Sequence, residues 1–332
     1  MAAISAPRGP EFARIMGLGA YRPSRVVTNA EICERIDSSD EWIRERSGIE
    51  SRRFAAPDES VIDMSTAAAG KAIAQAGIRP EQIGAVLVAT VTHPLQTPSA
   101  AAAVADRLGA TDAAATDLSA ACAGFCYGVS LANDMVRGGS AEYVLVIGCE
   151  KLSDFTDSYD RSTAFIFGDG AGAVVIGPSD EPAIGPTIWG SDGSQYDAIT
   201  QRASWIDVRD HAVDFPHLTM QGQKVFRWAV WQMAPVAAKA MAAAGVAPED
   251  LDAFIPHQAN MRITDALIKT LKLPAHVPVA RDIRETGNTS AASVPLAMER
   301  MLEAGEVKSG GTALLIGFGA GLVYAAQVVT LP

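Results

Sequence analysis

The chain has 332 residues, of which 48% are hydrophobic and 20% are charged, and these ordinary globular values exclude a disordered chain. Its 38 acidic and 27 basic residues give a net charge of -11. We therefore expect no general affinity for nucleic acid or anionic membranes, and an anionic ligand must be held by a local basic patch. The four cysteines form no C-x-x-C pair, and no apolar run has the length of a signal peptide or membrane span. This pattern predicts a soluble, cytoplasmic protein without a disulfide framework or a structural metal.

Short apolar runs alternate with helical patterns along the chain. In chain order, the patterns predict a helix over 65–76, strands over 85–91, 143–148 and 171–176, a helix over 228–244 and a strand over 312–317. These strands are continuously apolar rather than alternating, which is typical of sheets covered by helices on both faces. The fold class is therefore predicted to be α/β.

The chain is predicted to consist of two similar halves, 1–180 and 181–332. Prolines and glycines concentrate at 177–187, which is typical of a linker. A helix followed by AGIRPEQIGAV in the first half corresponds to a helix followed by AGVAPEDLDAF in the second half. This weak repeat indicates a duplicated α/β unit, although so short a shared segment also arises by chance.

A cysteine lies where a predicted strand turns into a helix. Residues 117–128 read DLSAACAGFCYG, with Cys122 among small residues and a helical pattern behind it. The unpaired N–H groups and the dipole of a helix N-terminus stabilise a thiolate, so Cys122 is a candidate nucleophile with a lowered pKa. The alternative for Cys122 is a buried, inert cysteine. Cys126, one turn further along, is interpreted as a packing residue.

Three further segments are polar or rich in glycine at predicted strand ends or turns, where ligand sites of α/β proteins form. His257 lies in HQAN after a short apolar strand, and Asn288 lies in GNTSAAS before a helix over 296–302. GFGAG follows the last of the strands above and exposes N–H groups that suit an oxyanion hole. The alternatives are an ordinary surface or core histidine, and a helix N-cap formed by Thr289 or Ser290.

The order of these features resembles that of the thiolase-like condensing enzymes: a cysteine, a histidine, an asparagine and then a glycine-rich turn. The resemblance is to the β-ketoacyl-acyl-carrier-protein synthase III family, which starts type II fatty-acid synthesis, and it covers nearly the whole chain. The segments that carry it are GAYRPSRVVTN, SSDEWIRERSGIESRR, DLSAACAGF, IFGDGAGAVV, HQANMR, GNTSAAS and GFGAGLVYAAQVV. The resemblance implies a duplicated five-layer α-β-α-β-α sandwich that acts as a homodimer.

The resemblance implies a decarboxylative Claisen condensation of an acyl-CoA primer with malonyl-acyl carrier protein (malonyl-ACP). Cys122 carries the acyl group as a thioester, while His257 and Asn288 stabilise the enolate that forms as carbon dioxide leaves. Neutral imidazole and amide groups are suitable donors for that oxygen. The backbone N–H groups of Cys122 and Ala320 match the family's oxyanion hole, although many relatives have glycine in place of Ala320. No metal or redox cofactor is implied, because decarboxylation makes the carbanion.

The resemblance also implies a site for CoA. Trp42 and Arg161 match the pair that sandwiches the adenine, since an indole and a guanidinium both stack on a purine. Arg46 matches a contact to a CoA phosphate, and Asn260 matches a residue near the pantetheine arm. Without the resemblance, Trp42 would be interpreted as the core residue of an amphipathic helix.

Two further expectations concern ACP and the acyl primer. Arg227, Arg262 and Lys269 match a basic patch that meets the acidic ACP, although scattered solvated charges are the usual interpretation of such residues. Relatives restricted to acetyl primers have phenylalanine at the position of Thr97, which closes the acyl pocket from across the dimer interface. The smaller Thr97 therefore predicts that primers longer than acetyl are accepted, each added methylene contributing about 0.8 kcal/mol if buried.

Other functions with related residues remain open at this point. A secondary-metabolism enzyme with the same three residues starts a polyketide or transfers the acyl group to a hydroxyl or amine. A non-catalytic subunit of a heterodimer lacks the nucleophile, whereas Cys122 is present here. A cysteine hydrolase needs a base and an open path for water, and no G-x-S-x-G motif occurs. Release of carbon dioxide that depends on malonyl-ACP separates condensation from simple acyl transfer.

Overall fold

The computed structural model describes residues 4–211 and 213–332. Its strands are β1 (Phe12–Tyr21), β2 (Arg25–Thr28), β3 (Ser51–Phe54), β4 (Ile83–Ala89), β5 (Ala114–Leu118), β6 (Tyr143–Lys151), β7 (Asp169–Ser179), β8 (Ile188–Gly190), β9 (Ile199–Gln201), β10 (Leu218–Met220), β11 (Ala253–Pro256), β12 (Thr312–Gly319) and β13 (Val323–Thr330). Its α-helices are α1 (Asn29–Cys33), α2 (Asp40–Ser47), α3 (Val61–Ala76), α4 (Ala100–Leu108), α5 (Gly124–Arg137), α6 (Trp205–His211), α7 (Gly222–Ala244), α8 (Met261–Leu271), α9 (Ile283–Thr286) and α10 (Ser293–Glu303).

Two mixed sheets repeat one topology. The first has the order β1-β7-β6-β4-β5, and the second has the order β8-β13-β12-β11. Along both sheets the first two pairings are antiparallel and the third is parallel. A parallel bridge between Phe254 and Val279 extends the second sheet beyond β11, where β5 lies in the first. The predicted duplication is therefore visible in the strand order.

The repeated turn predicted from sequence has the same backbone conformation in both halves. The long helix α3 ends at Gly77 with φ 69 and ψ 25, and α7 ends at Gly245 with φ 68 and ψ 26. Each left-handed cap is followed by a short 3-10 turn, Pro80–Gln82 or Pro248–Asp250, and then by a parallel strand. Glycine reaches this conformation without the steric cost that a Cβ atom brings, so both helices stop at a defined residue.

The core consists of five layers. Helices α5 and α10 form the middle layer and share one apolar cluster with strands of both sheets. Helices α3 and α4 cover the outer face of the first sheet, and α7 and α8 cover the outer face of the second. Because both sheets are covered on both faces, their central strands are continuously apolar, as the sequence pattern indicated. The predicted α-β-α-β-α sandwich is confirmed.

Element boundaries differ from the predictions by a few residues. Helix α3 starts four residues earlier than predicted, at the Ser60 capping box, and α7 begins six residues earlier at Gly222. Pro235 lies inside α7 without ending it. The helix residues before and after Pro235 are buried against the second sheet, and this packing keeps the helix continuous. Strand β7 continues to Ser179, into the predicted linker. The boundary between residues 180 and 181 stays a prediction. No described helix is long and apolar enough to span a membrane.

Candidate active site

A cavity of about 800 Å³ lies where the two halves meet. Cys122, His257 and Asn288, which are far apart in the sequence, all line it, and so does Ala320. Another part of the wall comes from the β9–β10 hairpin, to which the sequence assigned no role, and from the start of α7, which bears Arg227. The four residues predicted at turns and strand ends are therefore neighbours of one space that is large enough for a substrate.

Cys122 lies in the 3-10 turn Ala121–Ala123, between β5 and α5. The preceding residue, Ala121, has φ 43, a left-handed conformation that costs a non-glycine residue about 1–2 kcal/mol. A Cβ atom added at Gly319 would lie 2.9 Å from Cys122 Sγ, so only glycine lets the end of β12 pack against the cysteine. The strained turn and this close approach fix the thiol at the base of the cavity.

The sequence predicted a lowered pKa for Cys122, and the structure contradicts this prediction. Burial is the main cause that raises the pKa of the thiol to about 12; a hydrogen bond with Ser290 lowers it, and the nearby Glu150 charge raises it further. Desolvation at the base of a largely apolar cavity thus outweighs the helix N-terminus. The thiol is protonated at neutral pH, and acyl transfer requires a group that accepts its proton.

His257 directly follows β11 and is 2% exposed. Burial lowers the pKa of the ring to about 3, so the imidazole is neutral, as expected for a hydrogen-bond donor to an enolate. Its Nδ1 lies 2.7 Å from Ser293 Oγ, and that oxygen also accepts the N–H of Gln258 at 3.3 Å. With the Gln258 N–H on its oxygen, the Ser293 hydroxyl can donate its own proton to Nδ1, and in the tautomer that we assign the ring proton lies on Nε2. The ring also packs edge-on against Phe318.

Asn288 is held through three hydrogen bonds. Its backbone N–H donates to the Ile166 carbonyl at 2.9 Å, and its carbonyl accepts from Gly168 at 3.0 Å. Its side-chain Oδ1 accepts the N–H of Ser290 at 2.8 Å. Because Oδ1 must face that donor, the orientation of the amide is fixed and its NH₂ group remains to donate into the cavity. The alternative of an N-cap at this turn is wrong, since α10 begins without a side-chain cap.

The cavity mouth carries the residues predicted to bind CoA. Trp42 and Arg46, both on α2, line it, and the Arg161 guanidinium lies 4.8 Å from the Trp42 ring centroid. This separation is a direct cation–π contact, so a purine enters between the two groups only if one moves. Asn260 caps α8, and its amide donates to the Arg46 carbonyl at 3.0 Å. Asn260 therefore joins α8 to the helix that bears Trp42.

The residues predicted to contact ACP lie at the outer edge of the cavity and on the adjacent surface of α8. Arg227 and Arg262 line the outer cavity, whereas Lys269 lies seven residues beyond Arg262 on the same side of α8. All three are exposed, and Arg262 also stacks on Phe226 with 5.2 Å between the guanidinium carbon and the ring centroid. None of the three forms an ion pair within the described ranges. The cations are thus available to an acidic partner.

Thr97 lies on the exposed loop between β4 and α4 and does not line the cavity of its own chain. The expectation was a contribution across a dimer interface, so the role of Thr97 stays a prediction. The sequence analysis missed two residues beside the cavity. Ser290, which holds Asn288, was considered only as a helix N-cap, and Glu150, near Cys122, belongs to none of the motifs; only the fold brings them there.

Two duplicated α/β halves that place a cysteine, a neutral histidine and an asparagine around one cavity define a condensing enzyme of the thiolase-like class. Residues 116–193 match the family described as 3-oxoacyl-[acyl-carrier-protein] synthase III, and residues 241–331 match its C-terminal counterpart. A β-ketoacyl-[acyl-carrier-protein] synthase III from Streptomyces glaucescens is 64% identical over 100% of both chains. One from Streptomyces coelicolor is 62% identical over 100% of both.

Solved structures agree with this assignment. The priming β-ketosynthase of the R1128 polyketide pathway has a TM-score of 0.97 and 49% identity, covering 100% of this chain and 99% of its own. The 3-oxoacyl-(acyl carrier protein) synthase III of Pseudomonas aeruginosa has a TM-score of 0.89 and 38% identity, covering 97% and 98%. The chain belongs to the β-ketoacyl-acyl-carrier-protein synthase III family. The predicted thiolase-like fold and enzyme class are confirmed.

Proposed function

We propose that this enzyme condenses an acyl-CoA primer with malonyl-ACP, giving 3-ketoacyl-ACP, carbon dioxide and CoA, by way of a thioester on Cys122. The observation that carries the proposal is the single cavity shared by Cys122, His257 and Asn288, with Trp42 and Arg46 at its mouth. A nucleophile at the base, enolate donors beside it and a CoA contact at the entrance are the parts that such a reaction needs.

In the first half-reaction the acyl carbonyl binds beside Cys122. The thiol attacks the carbonyl carbon, the bond to the CoA sulfur breaks, and the acyl group stays on Sγ. We assign the backbone N–H groups of Cys122 and Ala320 to the negative oxygen of the tetrahedral intermediate. Backbone donors held by a strained turn and by the end of β12 do not reorganise as charge develops, which is the condition for strong electrostatic stabilisation.

In the second half-reaction malonyl-ACP replaces CoA. The Nε2–H of His257 and the NH₂ of Asn288 donate to the malonyl thioester carbonyl, and the charge left by departing carbon dioxide moves onto that oxygen. The enolate carbon then attacks the acyl-Cys122 carbonyl and expels the sulfur. Loss of carbon dioxide supplies the carbanion, so the proposed reaction requires no metal or redox cofactor.

We expect Trp42→Ala to raise the KM for acyl-CoA about tenfold while kcat changes less than threefold. The variant removes one stacking face for the adenine, which lies far from the reacting bond, and such uniform binding affects KM. Steady-state kinetics with acyl-CoA and with the matching acyl-pantetheine checks this prediction. The short substrate lacks the adenine and should not distinguish the variant from the wild type; an equal loss with both would contradict the assigned role.

We assign the surface around Arg227, Arg262 and Lys269 to ACP. Arg262→Glu is expected to raise the KM for malonyl-ACP at least tenfold at low salt, because it replaces an attraction by a repulsion at an exposed, unpaired site. The difference from wild type should shrink as ionic strength rises. Malonyl-CoA as extender is the control, and Arg79→Glu, at an exposed turn far from the cavity, is the matched variant. No change in KM would contradict the assignment.

Two questions about substrates follow from the same site. Thr97 in place of a pocket-closing phenylalanine supports acceptance of primers longer than acetyl. In the cytoplasmic homodimer that we propose, Thr97 bounds the acyl pocket of the partner subunit across the interface. The 49% identity to a priming ketosynthase of a polyketide pathway supports a second candidate function, the same condensation on a polyketide carrier. The carrier protein that is extended distinguishes the two functions.

Mass spectrometry of the intact enzyme tests the proposed function directly. The enzyme is incubated with a panel of acyl-CoAs, and malonyl-ACP is then added. We expect an acyl adduct on Cys122 that disappears as 3-ketoacyl-ACP and carbon dioxide form, and the adduct masses identify the primer. Strict preference for acetyl would contradict the role of Thr97. An adduct that ignores malonyl-ACP would favour an acyltransferase, and no adduct at all would refute the assignment of the nucleophile.

A further inference from the structure

A carboxyl group lies buried behind the active site. Glu150, near the end of β6, is 0% exposed. Its Oε2 accepts hydrogen bonds from the loop after β4, namely from the Val91 N–H at 3.0 Å, the Thr92 hydroxyl at 2.6 Å and the Thr90 hydroxyl at 3.2 Å. These donors fix one side of the carboxyl group and leave the other oxygen facing the turn that begins at Asn288.

Ser290 joins this carboxyl group to the cavity. Its hydroxyl donates to Glu150 Oε1 at 3.0 Å, and its N–H donates to Asn288 Oδ1 at 2.8 Å. Ser290 lines the cavity together with Cys122, and its hydroxyl lowers the pKa of the Cys122 thiol. A hydroxyl accepts one proton while it donates another. The Ser290 hydroxyl therefore interacts both with the nucleophile, whose thiolate it stabilises, and with a buried acceptor, to which it donates.

The surroundings of Glu150 include no cation that pairs with it among the described residues. The neighbouring Lys151 instead donates to the Ala56 carbonyl at 3.0 Å and lies 3.4 Å from Asp154. The titratable groups that interact with Glu150 are Cys122 and Cys149. Burial raises the pKa of Glu150 to about 7, so both its protonation states are populated near neutral pH. An unpaired buried carboxylate costs stability, and its presence at this point indicates a function.

Acyl transfer requires a group that accepts the Cys122 proton, and the cavity residues described above include no suitable one. The Cys122 thiol has a pKa near 12 and must lose its proton as it attacks. His257 has a pKa near 3 and is therefore a poor base for this step. In the second half-reaction the sulfur leaves the acyl carbon as a thiolate and must regain a proton before the next cycle.

We propose that Glu150 stores the Cys122 proton between the two half-reactions, with the Ser290 hydroxyl as relay. During acylation Sγ forms its bond to the acyl carbon as its proton passes to Ser290 Oγ, and the Ser290 proton passes to Glu150 Oε1. The CoA thiolate that leaves takes a proton from solvent. During condensation the expelled Cys122 thiolate regains its proton from Glu150 along the same path. Overall one proton is consumed, which balances the loss of carbon dioxide from the malonyl carboxylate.

The test measures acylation alone, by rapid quench and mass spectrometry of the full-length enzyme with acyl-CoA at pH 5.5–9. This inference rests on the proposed function, and the wild-type adduct on Cys122 establishes that function independently. We expect the wild-type rate to rise with pH through an inflection near 7, because only the deprotonated carboxylate accepts the proton. In Glu150→Gln the rate at pH 7 should fall at least tenfold, and the inflection should disappear.

Variants separate a proton store from a structural role. Ser290→Ala should cause a loss similar to that of Glu150→Gln, and the double variant should lose little more, since both act in one path. Glu150→Asp retains a carboxyl group and should keep an inflection. The matched control is Asp169→Asn, which removes another buried carboxyl with a raised pKa; Asp169 binds Ser153 and Ala55 rather than the cavity residues. This control should keep the inflection.

Two results would overturn the proposal. One is a Glu150→Gln enzyme that acylates within twofold of the wild type and keeps the inflection. The other is a uniform loss at every pH together with a lower Tm, which a structural role predicts. Should Glu150→Gln not fold, Ser290→Ala decides the matter by the same two criteria. No adduct on wild-type Cys122 would instead refute the proposed function itself.

Discussion

Replacing Cys122 by alanine is expected to abolish the acyl adduct and to lower condensation at least 10⁴-fold. The thiol is the atom to which the acyl group is proposed to bond, and no other cysteine lines the cavity within the described residues. Removal of a covalent nucleophile leaves only the binding and electrostatic contributions of the site. Intact mass after incubation with acyl-CoA, and 3-ketoacyl-ACP formation after addition of malonyl-ACP, are the two measurements.

The matched control for this variant is Cys126→Ala, four residues further along the chain. Cys126 is fully buried within α5, and burial raises the pKa of its thiol to about 12. Truncation there removes one buried sulfur and should lower stability while the adduct still forms. An adduct that persists in Cys122→Ala but vanishes in Cys126→Ala would show that the nucleophile is misassigned.

Asn288→Asp is expected to leave acylation within threefold of wild type and to lower the condensation rate about 10²–10³-fold. The aspartate can still accept the Ser290 N–H, so the turn keeps its anchor. It no longer donates to the enolate oxygen, and a carboxylate at that place repels the developing charge. Release of carbon dioxide from malonyl-ACP by enzyme that already carries the acyl group measures this step separately.

Acylation and decarboxylation are measured separately, and the comparison of their rates is the control for Asn288→Asp. His257→Ala removes the other proposed donor and should show the same pattern, with loss confined to decarboxylation. If Asn288→Asp slowed acylation as strongly as condensation, the asparagine would act on Cys122 rather than on the enolate. Condensation at the wild-type rate would remove Asn288 from the mechanism altogether.

Much of this enzyme was predictable from its sequence because local patterns carried the information. Continuous apolar runs predicted the buried strands, and the two glycine–proline segments predicted the duplicated turn that the caps at Gly77 and Gly245 display. Motifs at strand ends made Cys122, His257 and Asn288 candidates, since the topology brings such ends to one place, and the family resemblance supplied their roles. These inferences depend on residues close together in the chain.

The remaining features depend on contacts between distant segments. Glu150 meets Ser290 across 140 positions of the chain, and no local pattern predicts such a pair. The Cys122 pKa was mispredicted for the same reason: the helix N-terminus is visible in the sequence, whereas the cavity that desolvates the thiol is formed by both halves. Likewise, the direct contact between Arg161 and Trp42 depends on how the turn that bears Arg161 packs against α2.

The duplicated architecture divides the chemistry between the halves of the chain. Cys122, Glu150 and Trp42 belong to the first half, whereas His257, Asn288 and the ACP surface belong to the second. Each half places a left-handed residue at the cavity, Ala121 with φ 43 in the first and Ser290 with φ 49 in the second. On the proposed roles, the nucleophile and the two enolate donors are encoded in separate stretches of one gene. Neither half of the chain contains a complete site, so the reaction depends on how the two halves pack against each other.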